Sequence, residues 1–238
     1  MQLYLFEVVE VNAASGSPAS RLRLRYFDDS KSVVSSITDI DGYLMASCGQ
    51  KIYMRALEQD QYLVPVAFLD VGVHVTTMET LKNFVLIGDV RKGVSFVAFQ
   101  EDPYRLVFLG RETKSSSVAN ANFLVHDNKL SIVSGDTSGV IRMHEYDPTN
   151  VASQGGHMLM CRTEYATGSE ALSTMLFTRR TGADEATRQS GILYAGTDGS
   201  LFSVVPLRDA VYRRLQALQT QLLRYVQHFA GLNPRGRR

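Results

Sequence analysis

The side chains able to do chemistry are scattered along this chain. Five histidines, His74, His126, His144, His157 and His228, stand far apart, with no HExxH and no His/Cys cluster at metal-ligand spacing. Each is expected to be structural or to lie on the surface. GDTSG (135–139) and GTDGS (196–200) superficially resemble phosphate-cradling loops. Neither ends in the Gly-Lys-Ser/Thr that sets a lysine on phosphate and a hydroxyl on magnesium, and strand-like runs flank both. They read as hairpin turns. GxSxG is also missing, so no nucleophile elbow is available. The expectation is a protein with no catalytic, cofactor or metal site, and not an enzyme.

Two basic features remain. Arg21, Arg23 and Arg25 alternate with Leu22 and Leu24, a spacing that on a strand sends three guanidinium groups to one face and two leucines to the core. Such a row can grip nucleic-acid phosphates or an acidic partner, or it can be a solvated outer strand. The tail Arg235, Arg237 and Arg238 is open to the same readings, with few aromatic neighbours to stack on bases. Twenty-five basic against twenty-four acidic residues give a formal charge of +1, so any nucleic-acid contact has to be local.

The elements that would carry these residues follow from composition and period. A length of 238 residues, 45 % hydrophobic and 21 % charged, falls in the ordinary globular range. Cys48 and Cys161 make neither a disulfide framework nor a CxxC, which fits a reducing compartment. MQLYLFEVVEV at the start lacks a basic region and a small-residue cleavage site, and no apolar run approaches the roughly 18 to 20 residues of a membrane span. The chain is expected to have no secretory signal, no membrane partner and no small-molecule substrate.

One pattern recurs: an apolar run, a turn rich in Gly, Asp or Ser, and a second apolar run. It starts at Asp41, Asn83, Asn128 and Gly191, and each copy predicts a β-hairpin. Further strand-like stretches at 62–69, 74–78, 104–109, 123–126 and 172–177 bring the total to roughly four strands per repeat. Starts at 41, 83 and 128 are 42 and 45 residues apart, close to the roughly 40 to 50 residues of a propeller blade. The fourth lies 63 residues further on, an excess assigned to extended loops at 147–156 and 179–191. The N-terminal run reads as the outer half of a hairpin whose inner partner is missing.

From Pro206 the period changes. Val211, Leu215, Leu218, Leu222, Tyr225 and Phe229 recur every three to four residues, one apolar stripe on a helix. Asp209 is the expected N-cap and Gly231 the expected residue after the helix. The fold class is therefore all-β with a C-terminal helix: a partial propeller of about four blades over 1–206, then the start of a helical region over 207–238.

YRRL (Tyr212, Arg213, Arg214, Leu215) running into AGLNPR (Ala230, Gly231, Leu232, Asn233, Pro234, Arg235) strongly resembles the C-terminal region of the largest subunit of the cleavage and polyadenylation specificity factor. LVPVAFLD (63–70) and the segment 83–112 look like fungal members of that family. The resemblance implies the later blades of the last of three seven-bladed propellers, and thus a C-terminal portion of a longer polypeptide. It also implies a non-catalytic scaffold in nuclear pre-mRNA 3′-end processing. Its partners would be WD-repeat and zinc-finger polyadenylation-factor subunits, and pre-mRNA directly or through them. The same architecture is shared with a ubiquitin-ligase adaptor that binds damaged DNA and with a spliceosomal scaffold, which are the alternatives.

Overall fold

The computed structural model describes residues 2–12, 18–59, 62–126, 129–180 and 188–225. Among the described residues, seventeen strands form five antiparallel sheets in chain order. The first holds β1 (Gln2–Asn12) and β2 (Pro18–Asp29). The second is β3 (Val34–Ile40), β4 (Tyr43–Cys48), β5 (Lys51–Glu58) and β6 (Tyr62–Asp70). The third is β7 (Val75–Leu81), β8 (Phe84–Asp89), β9 (Gly93–Gln100) and β10 (Arg105–Arg111). The fourth is β11 (Val118–His126), β12 (Lys129–Asp136), β13 (Val140–Glu145) and β14 (Met160–Ala166). The fifth has three strands, β15 (Ala171–Arg180), β16 (Arg188–Gly196) and β17 (Leu201–Val204). Helix α1 (Asp209–Tyr225) follows.

Each sheet is a simple meander, and the leading strands β3, β7, β11 and β15 adjoin one another. That succession of stacked blades is a partial β-propeller. The second strands make its logic visible. Along β8, Val85 and Ile87 point into a core shared with the second sheet, while Leu86 between them points into the core shared with the fourth. β12 does the same, with Ile132 facing the third sheet's Phe96 cluster and Val133 facing Ile192 and Tyr194 of the fifth. A strand buried on both faces reads as a continuous apolar run. This explains why VLI and IV stand unbroken at these positions.

The hairpin turns are tied by acidic caps. Asp89 accepts N–H groups from Arg91 and Lys92 on one oxygen and from Val73 and His74 on the other. Asp136 and Asp198 accept in the same manner from Ser138 and Val140, and from Ser200. Asp89 thereby joins its own turn to the connection arriving from the second sheet. At Gly139 (φ 77°) an added Cβ would lie 2.9 Å from the Ser169 backbone, so only glycine fits this turn.

All four predicted hairpins form, but some boundaries differ from expectation. β1 does have a partner: it pairs with β2 from Gln2↔Asp29 to Asn12↔Pro18. The 147–156 segment is not a plain loop. It carries a short 3-10 helix, Val151–Ser153, capped by Asn150, and it leads into Leu159, which is buried in the core of the third and fourth sheets. The 179–191 loop is shortened because β15 and β16 pair out to Arg180↔Arg188. Asp209 is the first helical residue rather than the cap, since Tyr212 N–H bonds to the Arg208 carbonyl. The expected helix end at Gly231 lies outside the described residues.

Phe96 is 1 % exposed and touches the rings of Phe84, Phe123 and Tyr146 at 5.2 to 6.1 Å. Phe96→Ala should cost about 3–5 kcal/mol. Circular dichroism of denaturant unfolding would show this as a lowered midpoint, and a midpoint within error of the parent's would mean the sheets do not share this core.

Candidate docking surfaces

The arginine row lies on β2 as expected, with Arg21, Arg23 and Arg25 all exposed. Its surroundings are the reverse of the expectation. Leu22 and Leu24 are not core residues: they sit 64 % and 47 % exposed, opposite Val8 and Phe6 in register. With Tyr4 opposite Phe27, these six side chains make one exposed apolar face. The arginine side is the one turned to the second sheet, where Leu3 is buried, Tyr26 meets Tyr62 edge-on at 6.3 Å and Asp28 pairs with Arg55 at 3.1 Å. A register shift interrupts the alternation of β2 at Arg25, between Leu24↔Phe6 and Tyr26↔Leu5, and nothing in a lone strand says which face meets a neighbour. Arg25 itself is engaged, with Nε and Nη2 donating to the two Glu7 oxygens at 2.7 and 2.6 Å. That hydrogen bond holds the Glu7 carboxyl below its usual range.

On α1 the stripe of Val211, Leu215, Leu218 and Leu222 is exposed, and no helix residue is buried. Arg213 reaches Asp209 one turn back at 2.7 Å, both groups in solvent. Tyr212 is likewise exposed. Ala230 to Arg235 and the tail Arg237 and Arg238 lie outside the described residues. Among the described residues no three His, Cys, Asp or Glu side chains are grouped to hold a metal ion. No helix among them is long and apolar enough to cross a membrane.

The structure assembles one polar cluster that spacing did not reveal. Arg142 and His144 alternate on β13 and point between the third and fourth sheets. Arg142 donates to Asp136 at 2.7 Å and to Glu164 at 2.8 Å, and Lys114 reaches the same Glu164 oxygen at 2.9 Å. Glu112, following β10, accepts from Val94 N–H and Ser116 Oγ. Its other oxygen stays 3.9 Å from Arg142 and 3.8 Å from His144. His144 shares a hydrogen bond with Ser134 at 3.2 Å, while its Nδ1 has no hydrogen-bond partner among the described residues. Burial, then the Arg142 charge, pushes the imidazole down to about 4. Burial pushes the Glu112 carboxyl up. The arrangement joins two blades with charged groups, and the Ser134 hydroxyl beside the His144 imidazole is buried with it, at 2 % and 0 % exposure, out of reach of a substrate. The available signal was Arg-x-His within a strand-like run, visible as alternation but without a mark of burial.

Comparison with known proteins decides what kind of chain this is. The family described as the CPSF A subunit region matches residues 2–238. The chain belongs to the CPSF A subunit family. Protein cft1 of Schizosaccharomyces pombe is 35 % identical over 244 residues, covering 99 % of this chain and 17 % of the relative. CFT1 of Debaryomyces hansenii is 31 % identical over 97 % of the chain, and that of Coccidioides immitis 32 % over 99 %, covering 17 % and 18 % of those relatives. The chain thus spans about a sixth of the length of the curated relatives it matches. In this CPSF A chain the blade cores, the polar cluster and α1 all fall within the matched residues.

The cluster makes stability depend on pH. His144 titrates at 6.5 when unfolded and at about 4 when folded, so the unfolded chain binds more protons between those values and stability falls as pH drops through that window. Glu112 acts in the opposite sense above 4.5, its ordinary value. Between pH 7 and 5 the parent is expected to lose about 2 kcal/mol more than His144→Gln. Denaturant melts at the two pH values check this, and equal losses would place the imidazole in contact with solvent.

Proposed function

We propose that this CPSF A region is a non-catalytic scaffold in nuclear pre-mRNA 3′-end cleavage and polyadenylation. The family match over residues 2–238 carries the reading. The fold supports a docking role: stacked sheets present exposed apolar faces on β1–β2 and α1. Large apolar patches rimmed by charge are docking surfaces more often than solvent-facing ones. The partners proposed are the WD-repeat and zinc-finger subunits of the polyadenylation factor, with residues 1–206 acting as the propeller portion and 207–238 as the beginning of a helical one.

Affinity purification of the tagged, full-length parent protein from nuclear extract, with mass spectrometry of the co-purifying chains, tests this. Recovery of polyadenylation-factor subunits is expected. Recovery of a cullin or of spliceosomal subunits in their place would keep the fold and overturn the pathway.

A second reading, direct contact with pre-mRNA, draws support from Arg21 and Arg23, which stay exposed beside the engaged Arg25. It predicts that replacing all three arginines by alanine weakens RNA binding and lowers the slope of log affinity against log salt by about 2. A slope unchanged by the replacement would remove the row from any RNA path.

A further inference from the structure

A cleft of about 190 Å³ opens between the second and third sheets, where β6 passes over to β7. Val71, Ile87 and Phe108 give it an apolar wall, and Lys92 and Arg111 are its exposed cationic members. Two carboxylates also line it, and both are already engaged. Both oxygens of Asp89 accept backbone N–H groups, and Asp70 pairs with Lys51 at 3.1 Å. Neither Lys92 nor Arg111 has a carboxylate partner among the described residues.

Both cations have fixed anchors. The Arg111 N–H donates to the His157 carbonyl at 3.0 Å, and its carbonyl accepts from Leu159 N–H at 2.9 Å, so the long connection of the fourth sheet clamps its backbone. The Arg111 guanidinium lies 5.6 Å from the Phe108 ring centre. Lys92 is held through its N–H on Asp89. Its stem crosses Gly72 so closely that a Cβ there would sit 2.6 Å from Lys92 Cγ. Unpaired cations fixed beside an apolar wall are preorganised to receive an anionic group attached to an apolar one.

We propose that this cleft docks an extended acidic peptide segment of a protein partner. One of its Asp or Glu carboxylates would bind Lys92 and Arg111, while a neighbouring apolar side chain packs on Val71 and Phe108. Charge decides between a peptide and a nucleic-acid strand. A strand brings a phosphate with every nucleotide and meets the fixed charges of Asp70 and Asp89. A peptide brings one carboxylate to the two cations and an uncharged side chain to the remainder. The proposal rests on the scaffold reading and adds to it a site and a partner chemistry.

The test is fluorescence anisotropy with the full-length protein and three labelled probes: a peptide of alternating Glu and Leu, the same peptide with Gln for Glu, and oligouridylate. Saturable binding of the Glu-Leu peptide is expected, at least tenfold tighter than the Gln-Leu peptide. It should weaken at least tenfold in the Lys92→Glu, Arg111→Glu variant and stay unchanged in Lys82→Glu, at the far turn of the same sheet. Should the double variant melt at a lower temperature than the parent, Arg111→Gln decides, with a several-fold loss expected. Three results would each overturn the proposal: no saturable peptide binding, equal binding of the two peptides, or binding insensitive to Arg111. Oligouridylate binding that depends on these cations, without peptide binding, would assign the cleft to nucleic acid instead. Loss of this site leaves the co-purification result untouched, so the cleft and the scaffold reading fail separately.

Discussion

A four-stranded sheet of this chain carries apolar side chains on both faces, so no sheet can be stable alone. Leu86 and Ile87 are adjacent in β8 and less than 3 % exposed, yet they belong to cores on opposite sides of the sheet. Removing either neighbour would return one whole face to water, at roughly 25 cal/mol for each Å² of apolar surface. Everything else depends on that mutual burial. It fixes the leading strands side by side, aims the turn residues to one end of the blades and holds the long connection at 147–159 against β10. Where a sheet lacks a neighbour among the described residues, the apolar face remains exposed, as on β1–β2.

Charged groups reinforce the stacking between the third and fourth sheets, as the Asp28–Arg55 pair does between the first and second. Arg142 and His144 come from the fourth sheet and Glu112 from the end of the third, and the cluster they form is nearly inaccessible to water. A buried cation with two well-placed carboxylates is weak evidence for added stability, because desolvation offsets much of the attraction. Asp136 and Glu164, the close partners of Arg142, belong to its own sheet, and the charged contacts that cross to the third sheet are Lys114 to Glu164 at 2.9 Å and Glu112 at 3.9 Å from Arg142 and 3.8 Å from His144.

Much of the fold was legible because its signals are local. The four hairpins announce themselves through apolar runs broken by Gly and Asp, and α1 through its change of period to three or four. The boundaries were less legible. Nothing in residues 2–12 alone reveals the pairing with β2, because the partner strand is recognised only by burial on one side. The same ignorance of facing put Leu22 and Leu24 in the core when they are exposed. The Glu112 to His144 cluster and the Lys92 and Arg111 cleft were not legible at all. Each joins residues from different blades, and sequence spacing carries no record of which sheets will stack. The AGLNPR segment resembled its family plainly, although it lies outside the described residues.

The exposed faces of the stacked sheets are proposed as the places where other proteins bind. Hydrogen–deuterium exchange of the full-length protein, alone and within a purified complex with its co-purifying subunits, tests this most directly. Unchanged slow exchange is expected in β4, β8 and β12, with added protection in at least one of β1–β2, the 70–72 and 91–92 turns, or α1. Protection identical with and without partners across all of those segments would contradict this.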